Sequence, residues 1–384
     1  MKIAIVHDYI KEYGGAERVL EALHEIYPDA PVFTSVYLPQ FLGPHKNRFK
    51  DWDIRTSMAQ LLPFKAKLIS PLRIIAPLLF KTFDFSSFDV VIVSATGAYS
   101  PNIIQKSKVK SQKLICYCHT PPRYLYGYAT ARQWKNNIVF RVFGELINHF
   151  LRLVDYKSAQ NVDFFIANSK NIASRIKKFY RKESIVIYPP VEITNPKSQI
   201  PNKSRIQNPK YSIQNTEYFL AGGRLARPKH IDLIVETFAK LNLPLKVFGR
   251  GFAGYELDLK SKVKSQKSKV EFVGEVNDEE KLNLMRNAKA FIIAAEDEDF
   301  GITPVEAMSM GTPVIAYKSG GVLESVADGK TGLFFDELSI NSLSDTIKRF
   351  EKTKLSSQDC QKQAQKFSKE RFKKEISAFI KNKI

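Results

Sequence analysis

Ala290-Phe-Ile-Ile-Ala-Ala295, then Glu298-Asp-Phe-Gly-Ile-Thr-Pro-Val-Glu306, then Pro313-Val-Ile-Ala316, is the stretch on which the reading of the fold turns. Two short apolar runs of buried-strand type enclose a segment carrying acid, glycine and proline. Strand, loop, helix and strand in so few residues describe a parallel connection, so the loop leaves the carboxyl end of a strand. Open α/β sheets bind ligands there. Thr303 is placed to be the N-cap of the helix, with Pro304 at N1 and Glu306 at N3. Glu306 therefore has two readings: a ligand contact, or the closing acid of a capping box with Thr303.

The same alternation runs along the chain. Residues 2–7, 31–37, 90–93, 113–118, 163–168 and 184–188 read as strands of a first domain. Residues 218–221, 245–251 and 270–274 open a second, each strand ending in a glycine turn. At 384 residues the chain exceeds what one hydrophobic core usually serves. The expected division is a first domain over 1–188, a hinge over 189–216 rich in Asn, Ser, Lys, Gln and Pro, a second domain over 217–360, and a C-terminal helix over 361–384. Residues 106–113 recur unchanged at 260–267. The two copies read as low-complexity surface insertions rather than a functional repeat.

Lys and Arg number 59 against 39 Asp and Glu, a net charge of +20, which points to an anionic partner. Nucleic acid, an acidic lipid surface and a phosphorylated small molecule all qualify. The excess is uneven, since residues 1–190 hold 27 basic and 14 acidic side chains. Three cysteines imply no disulfide framework and fit a reducing cytoplasm. The opening residues 1–8 have too short an apolar core for a signal peptide and read as a first strand. Residues 68–80, interrupted by Pro71, Arg73 and Pro77, fall far below the ~20 residues of a membrane span. Residues 61–85 intersperse Lys65, Lys67, Arg73 and Lys81 among apolar positions. A buried helix pair with solvated lysines is preferred there over a segment lying on an anionic bilayer.

Several constellations are set aside. Asp51-Trp-Asp53 imitates a metal-binding pair but follows no strand end. Cys116 and Cys118 share a strand face from which His119 points away, and no second ligand cluster completes a tetrahedron. The candidates that remain sit at strand ends. In the first domain these are Gly14, Gly15 and Glu17 after the first strand, and His119 with Arg123 after residues 113–118. In the second they are Gly223, Arg224, Lys229, Gly249, Gly274, Glu298, Gly301 and Glu306. Glycines let backbone amides meet phosphate oxygens at helix N-termini. Arg224 and Lys229 can neutralise a diphosphate, and a Glu can accept from vicinal hydroxyls. Diphosphate plus hydroxyls suggests a sugar nucleotide. A Rossmann dehydrogenase is disfavoured, because no Gly-x-Gly-x-x-Gly follows the first strand.

The combination of Gly222-Gly-Arg-Leu225 with Lys229, Glu298 and Glu306 bracketing Phe300-Gly301, the following Glu-Ala-Met-x-x-Gly-x-Pro-Val-Ile-Ala, and Gly14-Gly-Ala-Glu-Arg18 resembles the family 4 retaining glycosyltransferases of GT-B fold. His119-Thr-Pro-Pro-Arg123 and the 298–306 text look most like the bacterial mannosyltransferase branch that builds O-antigen and exopolysaccharide on a lipid carrier. The likeness runs from Ile3 to about Phe335. It implies an α/β protein of two Rossmann-like domains whose parallel sheets face a central cleft, with the C-terminal helix packing back on the first domain.

It also implies roles. Arg224 and Lys229 would hold the donor pyrophosphate with Gly223 and Gly249, and Glu306 the ribose hydroxyls. Glu298 with the Phe300-Gly301-Ile302 backbone would hold the donor sugar, and Val273 and Gly274 would lie near the base. His119 would reach the donor hexose, while Gly14, Gly15, Glu17 and Arg123 would border the acceptor. The implied reaction transfers a hexose, mannose from GDP-mannose by first choice, with retention of configuration. No metal and no cofactor is called for. The acceptor would be lipid-linked or an oligosaccharide in cell-surface polysaccharide synthesis, and the enzyme cytoplasmic, resting on the inner face of the membrane. A UDP-hexose donor is the alternative. A glycosidase with paired carboxylates leaves the Arg–Lys pair unexplained. From another class come a sugar-nucleotide-binding protein without turnover and a nucleic-acid-binding protein; the diffuse charge and lack of a binding motif argue against the latter.

Overall fold

A computed structural model describes residues 1–107, 111–130, 138–193, 218–251, 255, 259 and 268–384. Most of the expected hinge, the second repeat copy and the middle of the first lie outside the described residues. The chain divides into two units, Met1–Pro190 with Glu370–Ile384, and Val191–Lys369.

The first unit holds a seven-stranded sheet of β1 (Ile3–His7), β2 (Val32–Thr34), β3 (Ile54–Thr56), β4 (Val90–Ala95), β5 (Lys113–Cys118), β6 (Phe164–Ala167) and β7 (Ser184–Val186). All neighbours pair in parallel, in the order β3-β2-β1-β4-β5-β6-β7. Near-continuous apolar runs such as Val-Val-Ile-Val in β4 suit strands covered on both faces. Along β1 the residues alternate accordingly. Ala4 and Val6 pack with Phe80, Phe85 and the helix Lys170–Tyr180; Ile3 and Ile5 pack with the helix Gly15–Ile26.

Phe372, Ile376 and Ile380 join that second cluster, so the helix Lys369–Lys383 packs on the first unit, as expected. Arg371 donates to the Tyr188 carbonyl at 2.7 Å, and Lys373 pairs with Glu25 at 2.9 Å. The preceding helix, Ser357–Gln365, belongs instead to the second unit.

The second unit has a six-stranded parallel sheet of β8 (Tyr218–Gly222), β9 (Leu245–Phe248), β10 (Val270–Gly274), β11 (Ala288–Ile293), β12 (Val314–Tyr317) and β13 (Gly332–Phe335). Its order is β10-β9-β8-β11-β12-β13. Phe219, Ala221, Val247, Ile292 and Phe335 form a core with the helices Ile231–Leu241 and Ile340–Lys352. Both sheets thus reverse direction once, between β1 and β4 and between β8 and β11. An α/β sheet opens a crevice at such a reversal, outside the carboxyl strand ends.

Two expectations fail locally. Residues 61–85 do not form a buried helix pair. Short helices Lys65–Leu68 and Ala76–Lys81 are separated by tight turns, and Leu61, Phe64, Ile74 and Leu78 are exposed. The helix after β11 begins one residue before Thr303. It spans Ile302–Ser309 with Gly301 as N-cap at φ 87°, a left-handed conformation that favours glycine. Pro304 falls at N3 and Glu306 beyond it, so Thr303 and Glu306 make no capping box.

Candidate active site

In the second unit the expected donor residues gather at the carboxyl ends of β8 to β11. Gly223 follows β8 and Gly249 follows β9. A Cβ on Gly249 would overlap the Gly223 carbonyl, so a side chain there would push the two turns apart. The Gly249 N–H also donates to the Gly274 carbonyl at 2.7 Å, which ties in the end of β10 with Val273. Arg224 is exposed, and its neighbour Leu225 anchors the turn by donating to the Arg250 carbonyl at 3.0 Å. Lys229 ends a short turn, Arg227–Lys229, ahead of the helix Ile231–Leu241 rather than opening that helix.

Across the reversal from β8, the loop after β11 carries Glu298, whose carboxylate pairs with the Lys229 ammonium. The backbone fixes this meeting: Glu296 N–H donates to the Pro228 carbonyl at 2.9 Å, and the Glu298 carbonyl accepts from Gly321 N–H at 2.6 Å. Phe300 is buried with its ring 5.3 Å from that of Phe367, so this residue offers only backbone to a ligand. Gly301 and Ile302 form the helix N-terminus beside it. The arrangement supplies a cation–carboxylate pair and a helix N-terminus at a sheet reversal, suited to an anion that carries hydroxyl groups.

Glu306 lies deeper. It is buried on the helix Ile302–Ser309, and its Oε1 accepts from Lys281 Nζ at 2.8 Å. Lys281 belongs to the helix Asp278–Arg286, which begins with a capping box between Asn277 and Glu280. Sequence reasoning missed Lys281. Its spacing marks only a helix, and nothing local announces a partner 25 residues on.

In the first unit the switch point between β1 and β4 is polar and sealed. Asp8, fully buried, accepts at one oxygen from the Thr96 hydroxyl and from the amides of Thr96, Ala98 and Tyr99 at 3.1–3.3 Å. Burial nevertheless pushes its carboxyl upward. His7 Nδ1 is 3.1 Å from Ser94 Oγ, and Ser94 Oγ is 2.9 Å from His119 Nε2. Burial, and then neighbouring His7, hold His119 down to about 3, so its ring is neutral. Its backbone is held by Ala95 and by Asn168 Nδ2, at 2.9 and 3.0 Å.

Glu17, the third residue of its helix, accepts from Gly14 N–H at 2.9 Å and lies 3.6 Å from His7 Nε2. Gly14 and Gly15 are thus the start of a capped helix. Arg123 is partly buried, its carbonyl accepting from Tyr126 and Tyr128. Of the first-domain candidates, Glu17 and His119 are linked through His7 and Ser94, two residues not anticipated from the sequence. Cys116 and Cys118 lie buried in the sheet core, neither of them in a disulfide.

Known proteins agree with this architecture. A family model described as "Glycosyltransferase Family 4" matches residues 13–195, and "Glycosyl transferases group 1" matches residues 203–367. The chain is 28% identical over 283 residues to an alpha-1,3/1,6-mannosyltransferase ALG2 from Dictyostelium discoideum, covering 65% of this chain and 64% of that protein. Against the ALG2 protein of Schizosaccharomyces pombe the identity is 26% over 379 residues, 86% of this chain and 70% of that one. Among solved structures, Anabaena HepE in complex with UDP superposes with TM-score 0.69 at 19% identity over all of both chains. Sucrose-phosphate synthase from Thermosynechococcus elongatus superposes at 0.73 and 17%, over 100% of this chain and 99% of that chain. These two share the fold. The two successive family matches show that the chain belongs to the family 4 glycosyltransferases, and the superpositions show its GT-B fold.

Proposed function

We propose that the protein transfers a mannosyl group from GDP-mannose, with retention of configuration and without a metal ion, to a lipid-linked or oligosaccharide acceptor in cell-surface polysaccharide synthesis. The observation that carries this reading is the Lys229–Glu298 pair at the reversal of the second sheet. A cation there can meet the diphosphate charge that develops as the anomeric bond breaks, and the carboxylate can accept from the hexose hydroxyls. Arg224 on the adjacent turn adds a second cation and Glu306 holds ribose; in the first unit, His119 binds a sugar hydroxyl. Relatives named as alpha-1,3/1,6-mannosyltransferases favour mannose. A UDP-hexose is the second donor reading, favoured by the HepE complexes with UDP and with UDP-glucose.

The deciding experiment incubates the purified protein and a lipid-linked acceptor extract with labelled GDP-mannose or UDP-glucose, with and without EDTA. Incorporation from GDP-mannose that survives chelation, giving an α-linked product, is expected. Incorporation from UDP-glucose alone would move the assignment to the second donor, and loss in EDTA restored by magnesium would refute the metal-free route.

A further inference from the structure

The buried chain from Glu17 through His7 and Ser94 to His119 crosses the reversal of the first sheet, from the helix after β1 to the end of β5. We infer that Glu17, acting through His7 and Ser94, sets which ring nitrogen of His119 carries the proton and leaves His119 Nδ1 as an acceptor for a sugar hydroxyl. The hydroxyl as ligand rests on the function proposed above. The tautomer rests on the geometry alone.

The steps follow from donor and acceptor counting. A neutral imidazole has one N–H and one lone-pair nitrogen, and a serine hydroxyl has one proton to donate. Glu17 uses Oε2 to accept from Gly14 N–H and turns Oε1 toward His7 Nε2 at 3.6 Å. That nitrogen is sealed from solvent and has no hydrogen-bond partner. A lone pair there would face a carboxylate lone pair with no water between, so the proton belongs on Nε2.

His7 Nδ1 is then an acceptor, and its partner Ser94 must donate to it. The Ser94 oxygen, its proton spent, accepts from His119, which therefore carries its proton on Nε2. His119 Nδ1 keeps its lone pair, and none of the described residues forms a hydrogen bond to it. The neighbouring Asp8 stays outside the relay, its bonded oxygen held by Thr96, Ala98 and Tyr99.

One isosteric change reverses the whole chain. In Glu17→Gln the amide oxygen is retained by Gly14 N–H, which turns the NH2 group toward His7 Nε2. His7 must then accept at Nε2 and donate from Nδ1, so Ser94 donates to His119 Nε2 and the His119 proton moves to Nδ1. Glu17, His7 and Ser94 are positioning residues in this scheme.

The test is two-bond proton–nitrogen NMR on the full-length protein labelled only at histidine, with His119→Asn identifying the His119 signals. The wild type is expected to show His119 protonated on Nε2 and bare at Nδ1, and Glu17→Gln to show the reverse. Ser94→Ala, should Glu17→Gln fail to fold, is expected to release a mixture in which the Nδ1–H form appears. A wild-type His119 protonated on Nδ1, as a doubly donating His7 cation would impose, overturns the inference. So does a tautomer unchanged in both variants. Saturating GDP-mannose or UDP-glucose is expected to shift the wild-type Nδ1 resonance. Saturable binding that leaves it in place overturns the sugar-hydroxyl role. Absence of any binding defeats the proposed function instead, and the tautomer result stands apart from it.

Discussion

Glu306 and Lys281 meet at 2.8 Å with side chains only 5% and 11% exposed, and Lys281 also lies 3.2 Å from Asp278 Oδ1, so the lysine offsets much of the cost of burying Glu306. Removing one member of such a pair leaves an uncompensated charge, which typically costs about 3–5 kcal/mol. Lys281→Met is therefore expected to lower stability by about that amount in denaturant titrations. Lys281→Met with Glu306→Leu should recover most of the loss, because apolar side chains of similar volume replace the pair with little penalty. A single variant as stable as the wild type would contradict the coupling. Arg224 is a different case, being exposed and not in the core. Arg224→Ala is expected to leave the melting temperature nearly unchanged and slow transfer roughly a hundredfold or more, the size of a lost transition-state charge partner. Steady-state kinetics with the accepted donor measures this, and near-wild-type rates would remove Arg224 from the pyrophosphate site.

The helix Ile138–Gln160 works on two faces. Its inner face carries Leu151, Asp155, Ser158 and Ala159. Asp155 accepts from Ser100 Oγ at 3.1 Å and from Tyr126 O–H at 2.9 Å, which ties the helix to two loops. Burial raises the Asp155 carboxyl from 3.8 to about 6, its hydrogen bonds opposing. Between those values the native state binds more protons than the unfolded state, so this group's stabilisation is present below about pH 4 and lost as pH rises to about 6. Asp155→Asn should flatten that part of the stability–pH curve by an amount on the order of 1–3 kcal/mol, read from urea unfolding at successive pH values. Parallel curves for the two proteins would show that Asp155 ionises normally.

The outer face of the same helix presents Ile138, Val142, Phe143, Leu146, Phe150 and Leu153 to solvent. Leu61, Phe64, Ile74 and Leu78 are exposed on the segment before β4, and both this segment's helix Ala76–Lys81 and the long helix pack against the turn Pro101–Ile103. The two apolar stretches therefore share one support, and Lys67, Lys81 and Arg141 are exposed on the same stretches. An exposed apolar patch with basic neighbours suits an anionic bilayer, with side chains in the acyl boundary and cations at the headgroups. No described helix is long and apolar enough to cross a membrane. At the scale of the whole molecule, the protein is expected to co-sediment with phosphatidylglycerol vesicles. Phe143→Glu with Leu146→Glu should reduce the bound fraction at least tenfold, since each buried large apolar side chain contributes roughly 1.5–3 kcal/mol. Both positions are exposed, so the melting temperature should hold. Unaltered sedimentation of the double variant would reject the surface.

The sequence alone determined the alternation of buried strand and helix, and with it two parallel α/β sheets. Runs such as Val90-Val-Ile-Val93 declare burial on both faces whatever surrounds them. It also marked Gly222-Gly-Arg-Leu225 and the Glu298–Glu306 stretch as loops at strand ends, because glycine next to an apolar run signals a turn locally. The edge strands β3 and β13 escaped notice. Ile54-Arg-Thr56 is too short for a periodic signal, and Gly332-Leu-Phe-Phe335 lacks β-branched residues. Thr303 is an ordinary N-cap by type, whereas the helix start is set by Gly301, whose φ is 87° and on which a Cβ would press against Val322 and Glu298. Only the tertiary structure could pair Lys281 with Glu306, turn the 61–85 segment outward, or join Glu17 to His119 through His7 and Ser94. The chain from Glu17 to His119 joins strand ends distant in sequence, which the pairing of β1, β4 and β5 brings together, and Lys281 meets Glu306 because the two helices that carry them pack against each other.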